Sequence, residues 1–486
     1  MKSITRFAPS PTGYIHIGNV RSAIYPYLIA KKAKEDGTFI LRIEDTDQAR
    51  YVEGATELIE DTLTWLGLNW DEGPNIGGPH APYFQTERRD TYIEFAKKLM
   101  AEGRAYADPT TPEEVESWRK SDTEAKIPFL FRNHRPESTP DWTPGLPIRF
   151  RSDPKPREWD DAVMGHVHAG PEVQDDIILI KRDGLPTYNF AHIIDDYLMG
   201  CTHVMRGVEY LSSTPNYLAL YEALNIPVPT LVSLPHILAP TGNKKLGKRD
   251  GAKSVTEYRA DGILPEAMLN YLACLGWNDG TEKEIYSKEE LIDAFSLDRI
   301  QTSGARYDET KLLWMNGMWI RKIHDEEGLD ALYEKTFGFW PKNAENISDE
   351  EKKRVLDIIY DRLKTLSDLR DMTAYFFSDP IVRLDLLTGN KFLKNLSETE
   401  LAALLSTVQG KLASLPSWDE SSLQEALNAL LGETGEKPAE LFSLIRISVS
   451  FAPFSPALNL TLSVLGREKS LARLSSVISA LKNDGE

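Results

Sequence analysis

Apolar positions near the start of the chain change spacing twice. Phe7 closes a short run ahead of Pro9, Pro11 and Gly13, and then Ile17, Val20, Ile24, Tyr27 and Leu28 recur at helical intervals. Gly37 is read as the end of that helix, and Phe39 to Ile43 as a buried parallel strand. The pattern predicts strand, loop, helix, strand: a βαβ opening. From 83 to 188 the pattern loosens, with many prolines between Pro109 and Pro156, which marks an insertion. The sheet is expected to resume with strands at Ile177 to Ile180 and His203 to Met205. Thr214 followed by Pro215 reads as an N-cap and first helical position ahead of Leu218, Tyr221 and Leu224. Beyond residue 320 strand signals fade. Val355, Ile359, Leu363, Leu366 and Leu369 keep one apolar helical face, and Ser348/Glu351, Ser397/Glu400 and Ser417/Glu420 have capping-box spacing. The last third is predicted all-helical, with a break near Pro380 to Asn390.

At 486 residues the chain exceeds one hydrophobic core. A net charge of −18 argues against nonspecific coating of nucleic acid, unless basic residues gather locally. Lys244, Lys245, Lys248, Arg249 and Lys253 do gather, against the single acid Asp250. Cys201 and Cys274 lack the spacing of a zinc site or a disulfide framework, so no structural zinc is expected. His166 and His168 alternate along a predicted strand, where an exposed face is the expected setting. No apolar run is long enough to span a membrane and the first residues are polar, which fits a reduced, soluble, cytoplasmic protein.

Two segments carry candidate chemistry. Thr5 to Gly18, TRFAPSPTGYIHIG, sets His16 and Gly18 where a loop turns into a helix. Backbone N–H groups and partial positive charge at such a start attract anions, so His16 can donate to a phosphate and Gly18 admits a nucleotide closely. The plain alternative is a surface histidine capping the helix. Far downstream comes Lys245-Leu246-Gly247-Lys248-Arg249, whose mobile cations suit a triphosphate passing charge to a leaving pyrophosphate. A solvated basic loop is the duller reading of that cluster.

Together the segments resemble the paired signature of class I aminoacyl-tRNA synthetases, the glutamyl family in particular. The likeness continues through LRIEDTD from Leu41, DGLPTYNF from Asp183, THVMRG from Thr202, LPEAMLNYLACLGW from Leu264 and KLLWMNG from Lys311. Two positions depart from the usual pattern: the first signature ends in Asn19 rather than histidine, and Gly247 stands where a serine is usual. The second departure shifts weight onto Lys245, Lys248 and backbone amides.

The resemblance implies an α/β fold: a Rossmann-like parallel-sheet catalytic domain (1–82 and 189–240) holding an acceptor-end-binding insertion (83–188). A connecting domain (241–322) and an all-α anticodon-binding module (323–385 and 386–486) would follow. It implies catalytic roles for His16, Gly18, Lys245 and Lys248. ATP, entering with Mg²⁺, would meet His16, Gly18, Glu209, Ile237, Lys245, Leu246, Gly247, Lys248 and Arg249. Glutamate would meet Arg6, Ala8, Ser10, Glu44, Tyr188, His192 and Arg206. Arg6 and Arg206 are the natural carboxylate partners and Glu44 the ammonium partner, because a pocket must pair each charge it buries. The alternative for Arg206 is a structural ion pair with Asp195 or Asp196. Arg362 matches an anticodon-reading arginine. Partners implied are L-glutamate, ATP and tRNA(Glu), for a monomer.

A non-discriminating form that also charges tRNA(Gln) fits the same motifs. A glutaminyl enzyme would carry a β-barrel anticodon module, and the truncated relative that modifies a tRNA base lacks one. A silent paralogue is disfavoured because His16, Lys248 and Glu44 are all present.

Overall fold

β1 (Ser3–Phe7) and β2 (Gly37–Leu41) pair in parallel on either side, in sequence, of α1 (Ile17–Lys32), as the apolar spacing predicted. Val20, Ala23, Ile24 and Leu28 on α1 are fully buried, the stripe that a helix lays on a sheet. The helix stops before Gly37: Ala33 is its C-cap and a single 3₁₀ turn, Lys34–Asp36, leads into β2. Gly37 is needed for a different reason. A Cβ there would lie 1.8 Å from the Ala30 carbonyl oxygen, so β2 can start hard against the last turn of α1 only without a side chain.

The computed structural model describes residues 2–13, 15–247, 251, 253–452 and 454–483. They fall into two compact units, Met1–Tyr258 with Pro265–Leu312 and Arg259–Leu264 with Leu313–Glu486.

In the first unit, α2 (Ala55–Trp65) and α3 (Arg89–Ala101) follow β2. Then come β3 (Ala105–Ala107), α4 (Pro112–Glu124), β4 (Ile148–Phe150), β5 (Arg157–Asp161), β6 (Gly165–Ala169) and β7 (Ile178–Ile180). β7 does not resume the opening sheet. It pairs antiparallel with β4, which pairs antiparallel with β3, and Leu179, Ile180, Ile148 and Phe150 close a core against Tyr92 and Leu99 of α3. A short apolar run states that it is buried, not against which partner.

α5 (Tyr188–Leu198), β8 (His203–Gly207), α6 (Thr214–Leu224) and β9 (Thr230–Leu234) return to parallel pairing, β8 with β9. The start of β8 is tied to β1: the Thr202 N–H donates to the Ile4 carbonyl, and the Ile4 N–H donates to Thr202 Oγ1. β5 and β6 extend the far side in the order β6-β5-β9-β8. Ser213 rather than Thr214 is the N-cap of α6, and Thr214 Oγ1 donates back to the Tyr210 carbonyl. β10 (Ile237–Leu238) pairs with β11 (Ala305–Arg306).

No strand occurs among the described residues of the second unit. Ser397 and Glu400 form the reciprocal capping box, and Ser348 accepts from the Glu351 N–H. Ser417 does not cap. Asp419 takes the role, accepting from the Ser422 N–H at 2.9 Å, because a carboxylate two residues on is better placed to meet the first-turn donors. Val355, Ile359, Leu363, Leu366 and Leu369 are all buried, yet not along one helix. The helix Asp349–Asp357 ends, a 3₁₀ turn Tyr360–Arg362 intervenes, and a new helix starts at Asp368. Within the expected break the chain makes only the short helix Leu384–Thr388. No helix among the described residues is long and apolar enough to cross a membrane.

Candidate active site

The carboxyl ends of β1, β2, β8 and β9 open onto a cavity of about 760 Å³, the place where parallel sheets of this kind take ligands. Arg6, Ala8, Ser10, His16, Gly18, Glu44, Tyr188, Arg206, Glu209, Ile237, Lys245, Leu246 and Gly247 all line it. His192 does not; it lies fully buried behind Tyr188 and Arg206. Lys248 and Arg249 lie outside the described residues.

One end of the cavity is built on buried charge. The Arg6 fork is already occupied: Nε and Nη2 donate to Asp196 at 2.9 and 3.1 Å, and Nη1 donates to the Met205 carbonyl at 3.1 Å. The acid considered as a structural partner for Arg206 therefore holds Arg6, and a substrate carboxylate at Arg6 would be its second. Arg42, wholly buried, donates to the same Asp196 at 2.8 Å and to Glu44 Oε1 at 3.1 Å. Arg88 donates to Asp195 at 2.7 Å. Three guanidiniums thus face three carboxylates, which is how ions are kept in a dry interior. Burial alone would raise the Asp196 pKa, but Arg6 and Arg42 hold it well below the usual carboxylate range. Burial would likewise lower Arg6, and Asp196 reverses that. At Glu44 burial prevails: its pKa is raised despite Arg42 and Arg6.

Arg206 escapes this network. Nη1 meets His192 Nε2 at 3.1 Å, the guanidinium lies 4.7 Å over the Tyr217 ring, and Nη2 is buried without a hydrogen-bond partner. Tyr188 stacks on His192 with centroids 4.9 Å apart.

The other end is wetter. His16 caps α1, its Nδ1 accepting from the N–H groups of Gly18 and Asn19 at 3.1 and 3.3 Å, the plainer of the two readings of this histidine. The capping tautomer keeps its proton on Nε2, the atom that can donate to an anion. Gly18 is needed by the ring itself, since a Cβ there would sit 2.9 Å from His16 Cε1. The lysine segment folds back on β10: the Leu246 N–H donates to the Ile237 carbonyl and the Ala239 N–H to the Lys244 carbonyl. That turn brings Lys245 Nζ within 2.8 Å of Glu209 Oε1. Burial would raise the Glu209 pKa, but Lys245 lowers it below the usual value.

Sequence reasoning missed Arg42 and Arg88, and offered Asp196 only as a partner for Arg206. A signal existed: Arg42 and Glu44 alternate, hence share a strand face, and Asp195-Asp196 interrupts the apolar helix FAHII. In the second unit Arg362 sits half-exposed on a 3₁₀ turn, where its charge reaches Arg446 and Tyr375.

Parallel strand pairs whose carboxyl ends gather a histidine-capped helix start and a lysine hairpin around one cavity define a class I aminoacyl-tRNA synthetase. Residues 2–314 match the family described as class I tRNA synthetases (E and Q), catalytic domain, and 331–478 match an anticodon binding domain. A glutamate–tRNA ligase of Clostridium botulinum is 40% identical over 98% of both chains, and one of Dehalococcoides mccartyi 38% over 98% of this chain and 97% of its own. The crystal structure of a glutamate tRNA ligase from Elizabethkingia meningosepticum, in complex with its amino acid, superposes with a TM-score of 0.87 at 32% identity, covering 99% of this chain and 100% of that one. The chain belongs to the glutamate–tRNA ligase family.

Proposed function

We propose that the cavity carries out both steps of glutamate charging, with each residue group at the end described above. The observation that carries this is the meeting of the His16 and Lys245 segments, far apart in sequence, around Glu44, Tyr188 and Arg206 in one cavity. Glutamate enters with its ammonium toward Glu44 and its γ-carboxylate toward Arg206 Nη2, where a planar fork fits a carboxylate. Ala8, Ser10 and Tyr188 line its path. ATP enters with Mg²⁺ as a substrate complex, its ribose toward Glu209 and its base toward Ile237 and Leu246. Its phosphates lie toward His16, Gly18, Gly247 and Lys245, with Lys248 and Arg249 completing the set by sequence. The α-carboxylate attacks the α-phosphorus, and pyrophosphate leaves as glutamyl adenylate forms. The 3′-terminal ribose hydroxyl of tRNA(Glu) then takes the glutamyl group and AMP departs. No protein nucleophile is required, because positioning and charge stabilisation supply the rate.

The enzyme works as a cytoplasmic monomer without structural zinc, and reads the anticodon through Arg362. Glutamate-dependent pyrophosphate exchange with tRNA bound tests the core of this reading; no exchange above a glutamate-free control would overturn it. Charging of purified tRNA(Glu) and tRNA(Gln) by the parent and by Arg362→Gln tests discrimination, with relaxation of roughly 1 to 3 kcal/mol expected in the variant.

A further inference from the structure

Both ring nitrogens of the buried His192 are engaged. Nδ1 lies 2.8 Å from the Tyr188 carbonyl oxygen, one turn back on α5, and Nε2 lies 3.1 Å from Arg206 Nη1. A carbonyl oxygen only accepts and a guanidinium only donates. A single protonation state satisfies both contacts: the neutral ring with hydrogen on Nδ1 and the lone pair on Nε2. Tyr188 stacks on the ring and Tyr217 meets it edge-on at 4.7 Å, which fixes its plane. Arg206 Nη1 is thereby held in place, and Nη2, buried and without a partner, is the donor left for a ligand.

We propose that His192 is a positioning residue for amino-acid selection: its neutral ring accepts from Arg206 Nη1 and fixes Nη2 for the γ-carboxylate of glutamate. A proton on Nε2 would set N–H against N–H and charge against charge, and release the selector. The inference rests on the assignment of Arg206 to that carboxylate. The groups facing the ring are Tyr188 and Asp196 on α5, Arg206 on β8, Arg6 on β1 and Tyr217 on α6. Burial and Arg206 drive its pKa well below the ordinary histidine value, with Asp196 and the Tyr188 carbonyl opposing and Arg6 adding to the fall. The ring is therefore neutral at pH 7, and the selector loosens only in acid.

The test uses the full chain with tRNA bound, in pyrophosphate exchange with glutamate and with glutamine. His192→Phe keeps a ring but no acceptor, and should raise KM for glutamate about tenfold or more with little change in kcat or in KM for glutamine. His192→Asn keeps an acceptor that does not titrate. It should recover most of the loss and lack the acid-side rise in glutamate KM that the parent shows only well below the ordinary histidine range. Arg206→Ala run beside them separates the failures. If it loses glutamate preference while His192→Phe keeps it, only the role of His192 falls; if it keeps that preference, the assignment of Arg206 falls and this inference with it. Nitrogen-15 NMR of the parent histidines needs no variant to fold. The Nδ1–H neutral tautomer at pH 7 is expected, and an Nε2–H tautomer would overturn the proposal.

Discussion

The two ends of the cavity solve the same problem, holding charge for a charged ligand, in opposite ways. At the end proposed for the amino acid, Arg42 and Asp196 bond with side chains 0% and 1% exposed, inside a balanced set of guanidiniums and carboxylates. At the end proposed for the nucleotide, Lys245 and Glu209 bond with side chains 53% and 41% exposed. A dry network cannot rearrange without stranding an ion, so it holds geometry. A solvated pair is worth little and exchanges partners readily, which suits the role proposed for Lys245, following phosphate charge as pyrophosphate leaves. Under the proposed assignment to ribose and phosphate, these two residues are bonded to each other, so a bound nucleotide would replace that contact.

Breaking the comparison starts at the locked end. Arg206→Ala should leave the substrate carboxylate unpaired and cost glutamate about 3 to 5 kcal/mol, or roughly 10² to 10³·⁵ in kcat/KM, while glutamine loses little. Pyrophosphate exchange with each amino acid checks it; an unchanged preference would move selection to Arg6. Asp196→Asn removes the acid shared by Arg6 and Arg42 and should lower folding stability by about 3 kcal/mol or more in denaturant unfolding. A loss as small as that of a surface pair would erase the contrast between the two ends.

At the exposed end, Lys248→Ala should slow adenylate formation ~10²-fold in single-turnover assays while ATP affinity changes far less. An unchanged rate removes Lys248 from the mechanism. Glu209→Gln should change folding stability by less than about 1 kcal/mol, since its partner is solvated.

Acid titration sharpens the same contrast. Asp196 has a depressed folded pKa, so its stabilisation is present above the unfolded value near 3.9 and is lost as pH falls below it. Glu44, raised by burial, acts in the opposite sense: its contribution is present in acid and fades as pH rises through its folded value. Melting curves from about pH 6 to pH 2 should therefore show a shallower acid loss for Asp196→Asn than for the parent. Parallel curves would mean that Asp196 does not carry the acid sensitivity.

Local pattern was enough for the parts of this protein that are local. The βαβ opening follows from apolar spacing across Phe7 to Phe39, the Ser397/Glu400 cap from a spacing of three, and the site's candidates from motifs whose residues, His192, Arg362 and the undescribed Lys248 and Arg249 apart, line one cavity. Each of these is decided within a few residues or carried by identity. The tertiary structure decided pairings. It gave Asp196 to Arg6 and Arg42 rather than to Arg206, set His192 behind the wall instead of on it, and put Ile178–Ile180 in an antiparallel sheet. It also broke the apolar run from Val355 to Leu369 with a turn while burying all five residues. Hydrophobicity says only that a residue leaves water, and charge only that it needs a counter-charge. Which neighbour answers is fixed by distance and dielectric in the folded chain, and neither is written along the sequence.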